Sequence, residues 1–148
     1  MGYALRGVAI ALLLAGVAVA APAMAGDPTG MWLTQGGKSR VRIANCGGAL
    51  CGTIAWLNEP DDPETGRPKT DKRNADASRR NRPLIGVAIM LAMKPAGTPD
   101  KWAGQVYNAE DGKTYSGSMT LQNANALKLE GCALGGLICK GQTWTRVN

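Results

Sequence analysis

From Lys38 onward the chain alternates in steps of two: Arg40 and Arg42 fall on one side of an extended segment, Val41 and Ile43 on the other. That period belongs to a strand with one face in a core and one in water. Segments 30–34, 53–57, 84–93, 101–107, 113–121, 127–132 and 143–147 read as further strands, about eight in all. The connections carry turn chemistry: Gly36 and Gly37, Thr98 to Asp100, Asp111 and Gly112, Asn123 to Asn125, and Gly135 and Gly136. Short strands joined by tight turns form hairpins, and successive hairpins form an antiparallel meander. Twenty glycines and eight prolines, with no phenylalanine, fit this reading and disfavour a helical bundle.

Gly52, Gly104, Gly117 and Gly131 stand inside strands, where propensity disfavours glycine and where it permits strong coiling or a bulge. A coiled sheet of eight short strands closes most economically on itself, which also removes its aggregation-prone edges. The expected fold is therefore all-β, a small up-and-down antiparallel barrel, with a two-sheet sandwich as the competitor. Cys46 and Cys51 bracket one glycine-centred turn, and Cys132 and Cys139 bracket another. Hairpins closing at these turns would bring each pair within disulfide reach, although four cysteines allow three pairings and the sequence alone does not choose among them. The spacings match neither the usual four-cysteine zinc sites nor the two-residue spacing of thioredoxin-type redox sites.

Arg6 is the only charge before Asp27, and an apolar run from Val8 to Ala21 leads into Pro22 and the small-residue motif Ala23, Met24, Ala25. This is the pattern of a secretory signal peptide over residues 1–25, cleaved before Gly26. The apolar run is too short to span a bilayer. The expected mature protein is a single domain over residues 26–148, soluble, and periplasmic or secreted, where cysteines oxidise. Histidine is absent, which excludes imidazole-dependent triads, histidine-ligated zinc and haem. The chain's net charge of +6 falls to +5 without residues 1–25, a balance that fits a solvated surface and, in an exported protein, points to anionic ligands or envelope components rather than to nucleic acid.

Gly30 and Trp32 on the first strand, with Trp144 and Arg146 two apart on the last, resemble the lipocalin-like (calycin) superfamily. The resemblance implies that Trp32 packs against Arg146 and closes one end of the barrel. The runs 46–56, 62–66, 80–86, 107–115 and 131–146 resemble the bacterial family catalogued as domain of unknown function number 2147, although Ala75 and Ala109 stand where prolines are expected. That resemblance supports the fold and the exported location, and implies no activity.

A long charged loop at residues 58–82 is the connection where function is expected. Glu59, Asp61, Asp62 and Glu64 come first, followed by Arg67, Lys69, Lys72, Arg73, Arg79, Arg80 and Arg82. The loop is either a self-neutralising solvated flap or a site. As a site, Arg80 and Arg82 would hold the anionic group of a small amphipathic ligand at the barrel mouth, with Trp56, Trp102 and Tyr115 lining it. Three alternatives remain: a calcium site at Asp71, Asn74 and Asp76; a histidine-independent enzyme using Glu59, Asp61 or Asp62 with Tyr107 or Tyr115; and an envelope interaction protein whose barrel is filled. No cofactor and no resident metal are expected. Asp76 is also placed to cap one helical turn before Pro83.

Overall fold

The computed structural model describes residues 18–21 and 26–147, so the expected leader lies, apart from residues 18–21, outside the described residues. Eight strands follow one another: β1 (Gly30–Leu33), β2 (Ser39–Cys46), β3 (Ala49–Leu57), β4 (Ala88–Pro95), β5 (Lys101–Asn108), β6 (Lys113–Asn123), β7 (Ala126–Ala133) and β8 (Ile138–Val147). Each pairs antiparallel with the next, and β8 returns to β1, closing the sheet into a barrel. The sandwich alternative is thereby set aside. Disulfides join Cys46 to Cys51 and Cys132 to Cys139, each across its own hairpin.

Three strands depart from the bounds expected of them. β3 starts at Ala49, because the Cys46–Ala49 pair continues the ladder down to the turn. β4 starts at Ala88, because Leu84 and Gly86 donate to the carbonyls of Lys69 and Ile54 and so belong to the loop. β8 starts at Ile138, where its pairing with β7 begins although residues 139–143 carry no apolar alternation to signal a strand.

The core is built from inward positions, two apart on most strands and three apart on β4, where the ladder is irregular between Met90 and Met93. Trp32, Val41, Ile43, Met90, Met93, Met119, Leu127 and Trp144 are its fully or almost fully buried members. Among the interior glycines, Gly104, Gly117 and Gly131 lie in register across β5, β6 and β7. A Cβ on Gly117 would meet Val106 and the Met93 methyl, and one on Gly104 would meet the Leu91 carbonyl. Gly117 admits close packing, whereas Gly104 stands opposite the irregularity within 91–94 and Gly52 has one on either side, as expected of glycines at bulges. Further irregularities lie at Arg40/Val41 and within 121–123.

The two ends of the barrel differ. At one end, the Arg146 guanidinium lies 4.3 Å from the Trp32 ring centroid. Its three nitrogens donate to the carbonyls of Ala124, Thr29 and Asp27, while the Trp32 indole N–H donates to the Pro28 carbonyl. Gly30 makes this approach possible: its φ is +121°, and a Cβ there would lie 2.9 Å from an Arg146 nitrogen. One cation thus binds the segment before β1, the β6–β7 turn and the last strand, and plugs that end as the lipocalin resemblance implied. The β3–β4 loop, the β5–β6 turn and the β7–β8 hairpin tip all lie at the other end.

An Arg146→Lys variant keeps the charge but loses the planar fork that serves three carbonyls at once. It is expected to lose about 2 kcal/mol in urea unfolding, because three carbonyls lose a charged donor. An unchanged midpoint would show that closure does not depend on this lock.

Candidate functional site

The charged loop is ordered by its own ion pairs. Lys69 meets Glu59 at 3.7 Å, Lys72 meets Asp62 at 3.0 Å, Arg79 meets Asp76 at 3.3 Å and Arg82 meets Asp71 at 2.8 Å. Asp76 caps the single 3₁₀ turn Ala77–Arg79 by accepting from the Ser78 N–H. The most deeply placed group is Asp71, whose side chain is fully buried. One carboxylate oxygen accepts from the Tyr107 hydroxyl at 2.6 Å; the other accepts from the Asn74 amide at 2.8 Å and from Arg82 Nε at 2.9 Å. Burial alone would raise the Asp71 pKa, but these hydrogen bonds and the Arg82 charge outweigh it and hold the carboxyl below its ordinary value. Tyr107 moves the opposite way, pushed up first by burial and then by its hydrogen bond to Asp71.

Alternation along β5 puts Tyr107 on the face opposite to the core residues Trp102 and Val106. It is buried beside Ile54 and Val87 in a second apolar cluster. Gly112, with φ +73°, fixes the neighbouring turn against the loop: a Cβ there would run into the Arg73 carbonyl. The Asp71, Asn74, Tyr107 and Arg82 network is thus a latch that holds the loop to the barrel.

This placement corrects the anion clamp expected at Arg80 and Arg82. Arg82 is spent on Asp71, and Arg80 donates through Nε to the Asn74 carbonyl at 2.8 Å. The expected lining residues do not converge on them. Trp56 is 37% exposed, with the Arg40 guanidinium 4.7 Å from its ring centroid. Tyr115 donates to Asp111. Trp102 is buried near the start of β5, at the plugged end, where it lines an open cleft of about 450 Å³ with Met93, Leu50 and Pro28. A neighbouring cleft of about 540 Å³, beside Leu121 and Arg146, lies at the same end.

The calcium reading is corrected too. Asp71 and Asn74 do meet, but Asn74 turns its N–H toward the carboxylate, and Asp76 is engaged by Ser78 and Arg79. Among the described residues no group of three or more acids is gathered to hold a cation. The acids of the enzyme reading gain no raised pKa: Asp62 is held below the ordinary value, chiefly by the Lys72 hydrogen bond, and Glu59 is largely exposed. Tyr107 is committed to the latch.

β8 changes from buried to exposed along its length. Trp144, Gln142, Lys140 and Ile138 share the inward-facing parity of that strand, and β7 sets Leu127 opposite Trp144, Leu129 opposite Gln142 and Gly131 opposite Lys140. Trp144 is buried, whereas the next three inward positions are exposed. Every residue from 138 to 143 is exposed, on both faces of the strand, so beyond Trp144 this part of β8 meets solvent on either side. Gly131, opposite Lys140, has open space beside it: a Cβ there would find only the Tyr115 Cβ, at 3.7 Å. Of the expected lining residues, Tyr115 alone borders it. Stepping back by twos from Trp144 is the sequence signal that would have located Lys140.

Asp71 has a lower pKa folded than its unfolded value of about 3.9. Its contribution is therefore complete above about pH 4 and is lost as pH falls through the folded value. Urea unfolding between about pH 7 and pH 2 should show a steeper loss below pH 4 for the native chain than for Asp71→Asn. Arg82→Ala, which leaves a buried carboxylate without its cation, should cost about 2 kcal/mol at neutral pH. Identical acid limbs for the native chain and Asp71→Asn would rule out an ionised latch.

The fold has a counterpart among solved structures. The protein HP1028 from the human pathogen Helicobacter pylori, described as belonging to the lipocalin family, is 27% identical; the match covers 82% of this chain and 84% of that one, with a TM-score of 0.67. This chain is a lipocalin-like barrel, an architecture that suits small-molecule binding. A comparison with curated proteins gave no match. Residues 30–146 match the family of uncharacterised proteins conserved in bacteria, domain of unknown function 2147, and the chain belongs to that family.

Proposed function

We propose that the protein is an exported, soluble binding protein of the bacterial envelope that takes a small amphipathic anion into the open mouth of its barrel. The observation that carries the reading is the change along β8 from buried Trp144 to the exposed stretch 138–143, in which Gln142 and Lys140 keep the parity of Trp144. An apolar tail would enter over Gly131 against Tyr115, the filled lower barrel would limit its depth, and the Lys140 ammonium would meet its anionic head. Lys140 is in none of the ion pairs of the described residues, whereas Arg82 and Lys72 are committed within the loop. Two formed disulfides and the leader pattern support an oxidising compartment. The filled lower half favours a short ligand over a long one.

Calorimetric titration with laurate, a simple anionic amphiphile, tests this reading. Saturable binding is expected, weakened about tenfold by Lys140→Glu through loss and reversal of one charge contact. Arg80→Ala should leave the affinity unchanged. Absence of saturation, or equal binding by the Lys140→Glu variant, would remove the mouth as the site.

A further inference from the structure

β8 is paired unequally. β1 reaches it only through Met31, Trp32 and Leu33 opposite Val147, Arg146 and Thr145. Residues 138–143 have β7 on one side and no strand on the other, apart from the Gln35 side chain accepting from the Thr143 N–H. The β7–β8 hairpin therefore stands out past the wall of the barrel, at the mouth end. Its tip reads Ala133-Leu134-Gly135-Gly136-Leu137-Ile138, with no polar side chain. Leu134, Leu137 and Ile138 are 69%, 85% and 54% exposed. A hairpin tip is ordinarily polar, and an apolar one costs solvation with nothing in the fold to offset it. The tip is also rigid, stapled just beneath by Cys132–Cys139 and shaped by the Leu134–Gly136 turn.

The surrounding charge identifies the surface it fits. The stretches Pro28–Asn58 and Gly131–Asn148 contain no aspartate or glutamate. They form β8, β1, β2 and β3, which are consecutive around the barrel. The outer face of that wall carries Lys38, Arg40 and Arg42, all exposed. At the mouth end, Trp56 of β3 lies half-exposed beneath Arg40, an amphipathic pairing suited to a boundary between water and apolar medium. A second copy of the chain would bring two basic walls together, whereas an anionic plane attracts the wall and receives the tip.

We propose that the β7–β8 hairpin is a membrane-docking element, its Leu134, Leu137 and Ile138 tip entering the interface of an anionic phospholipid bilayer while the acid-free wall meets the headgroups. The inference does not depend on a ligand in the mouth.

The test is co-sedimentation of the processed protein, recovered after export from a bacterial host, with vesicles of phosphatidylcholine alone or mixed with phosphatidylglycerol. Binding is expected to the mixed vesicles and not to phosphatidylcholine alone, and to fall as salt rises. Leu137→Glu should weaken it at least about tenfold, since it removes a buried leucine and adds a like charge. Lys38→Glu, on an exposed turn, should weaken it about fivefold or more. Near-UV circular dichroism matching the native protein shows that both variants are folded. Laurate binding should be unaffected by either, which separates this surface from the mouth. Equal binding to neutral vesicles, no binding to mixed ones, or undiminished binding by Leu137→Glu would overturn the proposal. Self-association abolished by Leu137→Glu in the absence of lipid would overturn it in favour of a second copy.

Discussion

A barrel of short strands has one seam, where its last strand must find its first, and here a single guanidinium makes that join hold. β1 contributes only four residues, so its ladder with β8 is brief and backbone pairing alone would leave the seam weak. Arg146 compensates by serving carbonyls from three separate stretches of chain while lying flat on Trp32. Planar, always charged and forked, arginine is the side chain able to do this. The shortness of β1 in turn leaves the far half of β8 unaccompanied, so the same seam that closes one end opens the other.

Much of the architecture was legible because it rests on local signals. Period-two alternation at Arg40 to Ile43 located a strand and its inward face, and glycine pairs located turns. Each cysteine pair bracketed a turn that does form a bridged hairpin. Trp32 and Arg146 carried a resemblance whose contact is present. The boundaries of β4 and β8 were less legible, because they depend on which backbone groups the loop claims and on pairing with β7 rather than on side-chain period.

The loop neutralises itself, one of the two readings its sequence allows, but charge in a sequence does not state its partner. Asp71 and Tyr107 are separated by 36 positions, and nothing local announces that they meet. Arg80 and Arg82 read as free cations in the sequence, yet each has a partner, Arg80 a backbone carbonyl and Arg82 a buried carboxylate. Lys140 went unnoticed for the opposite reason: it sits among Gly141, Gln142 and Thr143, where polar residues hide the strand's direction.

The segment Gly26–Thr29 and the last residues of β8 are both gathered at the plugged end, the former against the clefts there and the latter through Arg146. The polypeptide thus enters and leaves the barrel on one side. Tethering the protein through either terminus, to a bead, a fusion partner or an uncleaved leader, would turn the same pole toward the anchor and leave the other facing outward.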